Sequence, residues 1–113
     1  MPILLIDHQP TVEDLLKLTE YFLGYIKLVA DIDQKILYGG SEFHADMEKI
    51  LLDTGSLQNN IWGGGVNLKT KIIDCRAVAN IRGGINPSLE ILDPVNRQKF
   101  LSIVKQYFPD CHE

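Results

Sequence analysis

One stretch in the first third of the chain predicts an antiparallel sheet. Residues 25–32 read Tyr-Ile-Lys-Leu-Val-Ala-Asp-Ile and are rich in β-branched and aromatic residues, which favour strands. Asp33-Gln34 is a predicted turn, and residues 35–38 return as the second arm of a hairpin. Asp31 and Asp33 would then be carboxylates at the end of this hairpin, where such side chains are usually solvated.

Three further stretches carry apolar residues at the spacing of one helical face. The first begins at a predicted N-cap, Thr11, and stops at Gly24. The last begins at Asp93-Pro94, an N-cap followed by proline at the first helical position, and stops at Pro109. The predicted helices span residues 11–23, 43–53 and 94–108. The two outer helices are expected to cover the same face of the sheet.

The remaining apolar segments are short and are predicted to be strands. They are Pro2–Ile6, Asn59–Leu68, Ile72–Ile73, Arg76–Arg82 and Ser88–Leu92. Three glycines at positions 63–65 indicate either a bulge or a close approach of another part of the chain. Because hairpins are mixed with helices without a regular βαβ alternation, we expect an α+β fold with a mainly antiparallel sheet of about four to six strands and three helices. The 113 residues fit a single globular domain, residues 1–113.

The charge balance limits the classes of partner. The chain has 15 acidic and 11 basic residues and a net charge of -4, which argues against a nucleic-acid binder. No apolar run reaches the roughly 18 residues that span a bilayer, and no helix is basic and amphipathic, so we expect no membrane role.

Cys75 and Cys111 lack metal or disulfide spacing and are typical of free thiols in a reducing compartment. We therefore expect a cytoplasmic protein.

Four titratable side chains follow a pair of glycines in one short stretch: Glu42, His44, Asp46 and Glu48. Their period of two would put all four on one face of a strand. In a helix, residues four apart are neighbours, so the cluster would divide into two pairs, Glu42/Asp46 and His44/Glu48. The apolar spacing that follows favours a helix from about His44 onward, and a helix does not present the four side chains together.

His44 is the centre of two chemical hypotheses and one structural alternative. With Glu48, and with Asp31 from the hairpin, it can act in general acid–base catalysis if a neighbour shifts a pKa. With Asp46 and Glu48 it can contribute to a divalent-metal site. The structural alternative is a hydrogen bond of His44 near a helix N-terminus, where Asp46 favours the helix dipole. No second histidine lies at ligand spacing, and the sequence specifies no cofactor.

A second polar candidate is the glycine turn at Arg82-Gly83-Gly84. Exposed backbone N–H groups, the guanidinium of Arg82 and the side chains of Asn86 and Ser88 can bind a small anion. The alternative is an ordinary glycine turn in which Arg82 pairs with Glu90 across a hairpin. Trp62 is expected to lie in the core or in an interface.

Short motifs spread over about residues 25–100 form a recognisable set. They are Tyr25-Ile26-Lys27-Leu28-Val29, Asp31, Gly40-Ser41-Glu42, His44-Ala45-Asp46, Glu48, Gly55-Ser56, Gln58, Ile61-Trp62-Gly63, Asn80-Ile81-Arg82, Asn86, Ser88, Glu90-Ile91, Asp93 and Arg97. This set resembles a small bacterial family of uncharacterised proteins, a domain of unknown function. One departure is Gly83-Gly84, where the resemblance leads us to expect a proline. The resemblance implies no activity, because the family has none assigned.

Two functions from different classes follow from these features. The first is a small binding or regulatory module, with a homo-oligomer among the expected forms, whose polar surface around His44 and Arg82 contacts a partner or a small anionic ligand. The second is a small metal-dependent or acid–base enzyme of hydrolase type. Its working residues would be Asp31, His44, Asp46 and Glu48, with Arg82 positioning an anionic substrate. We favour the first, because no complete catalytic constellation appears in the sequence.

Overall fold

A computed structural model describes residues 3–113. They form a five-stranded antiparallel sheet with strand order β1-β3-β2-β4-β5. The strands are β1 (Leu4–Ile6), β2 (Tyr25–Asp31), β3 (Ile36–Gly39), β4 (Ile61–Asn67) and β5 (Ile72–Asp74). The helices are α1 (Val12–Leu18), α2 (His44–Asp53) and α3 (Pro94–Tyr107), and 3₁₀ turns cover Gln58–Asn60 and Val78–Asn80. The predicted α+β fold is confirmed, whereas Pro2, the predicted start of the first strand, lies outside the described residues.

The predicted hairpin forms the centre of the sheet. Val29 of β2 lies opposite Tyr38 of β3 on one side and opposite Gly63 of β4 on the other. Lys35 adopts a left-handed φ of 59° in the turn between the two arms, a conformation that few non-glycine residues adopt. The hairpin turn therefore depends on contacts that hold this strained residue in place.

The two faces of the sheet bury different helices. Leu18 of α1 and Phe100 of α3 pack with Leu28 in the larger core. Met47 and Leu51 of α2 pack with Val29 and Ile61 in a smaller core. Since successive side chains of β2 point to opposite faces, the outer helices share one face, as predicted, and α2 covers the other. Among residues 3–113, no helix is both long and apolar enough to cross a membrane.

The first helix is shorter than predicted. It ends at Leu18, and Thr19 is the C-cap, with a backbone N–H bond to Leu15 and a side-chain bond of 2.7 Å to the same carbonyl. Leu23, which the helical spacing included, is fully exposed. Gly24 has a φ of 71° and joins a turn to β2. The prediction that Gly24 stops the helix was wrong, because a threonine hydroxyl satisfies the last turn five residues earlier.

The predicted strands Arg76–Arg82 and Ser88–Leu92 do not form. Arg76 and Glu90 make one isolated antiparallel bridge, and residues 78–80 turn into a 3₁₀ turn. The side chains of Asn80 and Arg82 bond the backbone of Gly63 and Ile61 in β4, so this segment does not need an extended backbone to contact the strand. β4 itself is a regular strand without a bulge at residues 63–65. A Cβ added at Gly64 would overlap the carbonyl of Asp74, so a close backbone approach explains the glycine at this position.

Candidate functional site

His44, the first residue of α2, lies over the glycines of β4. Its Nε2 atom is 2.7 Å from the carbonyl oxygen of Gly64. A Cβ built at Gly63 would lie 2.8 Å from Ala77 Cβ and 3.1 Å from His44 Cδ2, so glycine leaves room for both side chains. The N-cap of this helix is Phe43, which makes no side-chain capping bond. The sequence-based expectation of a helix from His44 is confirmed.

The hydrogen bond to Gly64 determines which nitrogen of His44 carries the proton. A carbonyl oxygen can only accept, so Nε2 is the donor, and in the neutral ring Nδ1 has the free lone pair. Burial lowers the pKa of the His44 imidazole, and the nearby Lys27 ammonium lowers this pKa further. No hydrogen bond reaches Nδ1 from the described residues. His44 is therefore a neutral base near pH 7 with one nitrogen available.

Two side chains on the sheet face that α2 covers were not among the sequence candidates, namely Tyr25 and Lys27. The Tyr25 hydroxyl donates to Asp74 Oδ2 at 2.7 Å, and burial and this carboxylate raise the pKa of Tyr25. Lys27 Nζ donates to the Glu42 carbonyl at 2.8 Å and lies 4.7 Å from the centre of the Phe22 ring. The alternation along β2 was the available signal, because it puts residues 25, 27, 29 and 31 on the face that α2 covers.

Asp31 is a buried structural carboxylate. It is 0% exposed, so the expectation of a solvated side chain was wrong. Its Oδ1 atom accepts from the backbone N–H groups of Asp33 and Gln34, both at 2.9 Å. Its Oδ2 atom accepts from the Gln34 side chain at 3.0 Å and from the Ser56 hydroxyl at 2.6 Å. Four donors thus occupy the carboxylate, which holds the hairpin turn to the segment after α2.

The other two carboxylates of the cluster also have partners within the protein. Asp46 accepts from the Ser41 hydroxyl at 3.1 Å, and Glu48 accepts from the Gln58 side chain at 2.9 Å. In the part of the chain that the structure describes, no group of three or more His, Cys, Asp or Glu side chains is arranged to hold a metal ion. The metal site of His44, Asp46 and Glu48 stays a prediction to which this geometry adds no support.

Arg82 packs against the protein instead of presenting its fork to solvent. Its Nη2 atom donates to the Ile61 carbonyl, and its guanidinium carbon lies 4.2 Å from the centre of the Trp62 ring. Its Nε and Nη1 atoms are buried and have no hydrogen-bond partner among residues 3–113. Burial lowers the pKa of Arg82, and the nearby Glu48 carboxylate opposes this shift. Trp62 is 2% exposed, in agreement with its expected place in the core.

The remaining anion candidates serve the loop itself. Asn86 Nδ2 donates to the carbonyls of Asn80, Ser88 and Glu90 at 2.8–2.9 Å, and the Ser88 hydroxyl accepts from the Glu90 N–H at 3.1 Å. The proposed pair of Arg82 and Glu90 does not form. Arg76 and Arg97 approach Glu90 instead, at 3.9 and 3.7 Å. Anion binding by Arg82, Asn86 and Ser88 stays a prediction, and these bonds leave Asn86 little capacity for a ligand.

Residues 78–92, which we call the 78–92 loop, have inverted polarity over residues 78–86, whereas Ile91 enters the core. Asn80 and Asn86 are buried at 0% and 2% exposure. Val78, Ile81 and Ile85 are exposed at 75%, 51% and 61%. Helical or strand periodicity could not reveal this arrangement, because the loop has neither conformation over its length.

A family model described as "Protein of unknown function (DUF5674)" matches residues 4–107. The chain belongs to this family. The resemblance found in the sequence is thereby confirmed, and DUF5674 membership brings no activity with it. No curated protein and no solved structure matches the chain. In this DUF5674 chain, Asn80, Arg82 and Asn86, all part of the resemblance, have structural contacts that fix the 78–92 loop on the sheet.

Proposed function

We propose that this chain is a small binding module that contacts a partner protein through the 78–92 loop around Arg82. The observation that carries the proposal is the inverted polarity of the loop, with Asn80 and Asn86 inside and Val78, Ile81 and Ile85 outside. Exposed aliphatic side chains that are concentrated in one loop are typical of protein interaction sites. The loop would therefore be a contact surface whose shape is set by its buried amides.

The hydrogen bonds of the loop support this role. Asn80 and Asn86 each bond several backbone groups, so the exposed side chains are held on an ordered backbone. A surface ordered before binding loses less conformational entropy when it binds. The stacking of Arg82 on the buried Trp62 ring further fixes the loop on the sheet. Glu48 and Gln58, paired at 2.9 Å, supply polar groups close to Arg82.

Site-specific photo-crosslinking tests the proposal. A photoreactive residue at position 85 should capture one defined protein in cells, whereas the same residue at position 23, which is also exposed, should not. The captured protein is then purified and titrated against the wild type, Ile85→Lys and the control Leu23→Lys. We expect Ile85→Lys to weaken binding at least about tenfold, roughly 1.4 kcal/mol, and Leu23→Lys to leave it unchanged. Identical adducts at positions 85 and 23, or equal affinities for the two lysine variants, would reject the proposal.

Several finer expectations belong to the same proposal. The chain acts as one domain over residues 1–113 and works in the cytoplasm, with self-association as one mode of action. A small anionic ligand near Arg82 would have to bind a guanidinium that already bonds Ile61 and stacks on Trp62.

A second candidate is acid–base chemistry of hydrolase type centred on His44. The observation that favours it is the available Nδ1 of a neutral imidazole with a lowered pKa. Glu48 lies one helical turn further along α2, while Asp31 would act only after losing its present donors. Assays with p-nitrophenyl esters and phosphates, with and without Mn²⁺ or Zn²⁺, test this candidate. Turnover that disappears in His44→Gln would support it, and equal rates for the two proteins would exclude it.

A further inference from the structure

The sheet ends differently at its two edges. The outer edge of β5 is covered by the C-terminal segment, because Ile73 N–H bonds the His112 carbonyl at 2.7 Å and His112 N–H bonds the Lys71 carbonyl at 2.9 Å. The outer edge of β1 has no backbone partner among residues 3–113. An open edge is a template for pairing with another strand.

The hydrogen-bond alternation identifies which groups of β1 face outward. Gly40 N–H bonds the Lys27 carbonyl at 3.1 Å, so the backbone groups of Gly40 point toward β2. Because this direction alternates along a strand, the backbone groups of Tyr38, two residues earlier, also point toward β2. Leu37 and Gly39 must then direct theirs toward β1. Leu5 lies opposite Tyr38 and is therefore in a non-hydrogen-bonded pair. Its N–H and C=O both point away from the sheet.

The surroundings of this edge are slightly concave and have both polar and apolar side chains. A cavity of about 180 Å³ lies beside β1 and is bounded by His8, Pro10, Asp14 and Leu18. Large apolar side chains are exposed on β1 and on α1, namely Leu5 at 48%, Val12 at 76% and Leu16 at 70%. Val12 and Leu16 are four residues apart on α1 and so form one stripe beside the residues that enter the core.

We propose that β1 pairs antiparallel with β1 of a second copy of this chain, on a two-fold axis at Leu5. In that register each Leu5 N–H donates to the Leu5 carbonyl of the second copy. The free N–H and the free C=O of Leu5 are thus both bonded in each molecule. Asp7 then lies opposite Ile3 of the second copy, and the two Asp7 carboxylates do not face each other. The pairing joins two five-stranded sheets into one and brings Leu5 side chains together.

The second copy fits this edge better than an unrelated peptide for two reasons. β1 of another molecule offers the same donor and acceptor in reciprocal orientation, so one surface of the chain satisfies both copies about a two-fold axis. The carboxylates closest to the edge, Asp7 and Asp14, are already bonded to His8 at 2.7 and 3.0 Å, which reduces repulsion between two identical surfaces. This inference does not rest on a contact through the 78–92 loop, because that loop bonds β4 and β1 is the strand at the far edge of the sheet.

Sedimentation velocity from about 1 to 200 μM tests the pairing. The wild type should change from one chain to two over this range. Leu5→Pro removes the outward N–H together with the leucine side chain, and proline is tolerated at edge positions whose N–H faces solvent, so this variant should fold and associate at least tenfold more weakly. Leu5→Ala keeps the N–H and should associate more tightly than Leu5→Pro, and Leu23→Lys should match the wild type. A wild type that stays monomeric, or a folded Leu5→Pro that associates normally, would overturn the proposal.

Amide hydrogen exchange keeps the test decisive if Leu5→Pro does not fold. In the wild type, the Leu5 amide should exchange at least tenfold more slowly at 200 μM than at about 1 μM, because pairing protects it. An amide at Leu5 that exchanges freely while the protein sediments as a dimer would assign the dimer to another surface and overturn the inference.

Discussion

The side-chain amide of Asn80 takes the place of a neighbouring strand beside Gly63. Asn80 Oδ1 accepts from the Gly63 N–H at 2.8 Å, and Asn80 Nδ2 donates to the Gly63 carbonyl at 2.9 Å. These are the two bonds that an adjacent backbone residue would make in an antiparallel ladder. β5 pairs only with residues 65–67 of β4, so the amide continues the ladder where the strand stops. The 78–92 loop can therefore turn away from the sheet without leaving Gly63 unsatisfied.

Replacing Asn80 with aspartate should destabilise the fold severely. Asn80 Nδ2 donates to three carbonyls, and a carboxylate oxygen in its place would face them with no proton. An uncompensated buried charge costs about 3–5 kcal/mol, so the urea midpoint of Asn80→Asp should fall sharply at pH 7. Asn59→Asp makes the same chemical change at an exposed position and should stay within about 0.5 kcal/mol of the wild type. Equal midpoints for the two variants would contradict the role assigned to Asn80.

Gly64→Ala should lower the melting temperature, whereas Gly83→Ala should not. A Cβ at Gly64 would overlap the Asp74 carbonyl and lie 2.8 Å from Phe100 Cε2. Overpacking of this kind costs about 1–3 kcal/mol, and each kcal/mol lowers Tm by about 4–8 °C in a domain of this size. A Cβ at Gly83 would meet nothing within 4 Å, so that variant is the control. Scanning calorimetry of both proteins compares them directly, and a Gly64→Ala protein as stable as the control would disprove the close approach.

The elements with a clear period or a cap could be predicted from the sequence. β2 and β3 form the expected hairpin, and α3 begins where Asp93 accepts from the N–H groups of Val95 and Asn96. The segment 76–92 could not be predicted, because alternating residues such as Val78, Asn80 and Arg82 imitate one face of a strand. Periodicity does not show that a side-chain amide supplies the bonds that a strand would supply through its backbone.

The candidate site was predicted only in part for a similar reason. His44 was found by residue type and by the start of a helix, but its partner is a backbone carbonyl 20 residues later, which leaves no signal in residue type. Tyr25 and Asp74 are 49 residues apart, and their contact depends on the register of three strands. Asp31 was interpreted as solvated because the donors that bury it, among them Ser56, come from another element.

The contribution of His44 to stability should decrease as the solution becomes acidic. Burial lowers the pKa of His44 in the folded protein from the ordinary value of 6.5. Below about pH 6.5 the unfolded chain binds a proton at this residue more readily than the folded one, so stability is lost as the pH falls until the folded pKa is passed. His44→Gln keeps an N–H for the Gly64 carbonyl and has no titrating group. Between pH 7 and about pH 5, the unfolding free energy of the wild type should therefore decrease relative to that of His44→Gln.

The same comparison removes the effect of His8. Its contacts with Asp7 and Asp14 raise the pKa of His8, so its contribution weakens as the pH rises, and it is common to both proteins. A titration of the imidazole resonances by NMR should give a pKa below 6.5 for His44 and above 6.5 for His8. A stability difference that is constant between pH 5 and pH 7 would show that His44 is not buried as a neutral base.

Asp31→Asn separates a structural role of this carboxylate from a catalytic one. The NH₂ group of asparagine would take the place of one carboxylate oxygen. In place of Oδ2 its hydrogens would face the donors of Ser56 and the Gln34 side chain, and in place of Oδ1 they would face the two backbone N–H groups of the turn. Each unsatisfied buried group costs about 1–3 kcal/mol, so we expect a loss of at least about 2 kcal/mol in urea unfolding. Asp33→Asn is the matched control, because Asp33 is exposed and only two residues away, and it should change stability by less than about 0.5 kcal/mol. If Asp31→Asn unfolds at the wild-type urea concentration, the turn does not depend on this carboxylate, and the residue becomes available again as a partner for His44.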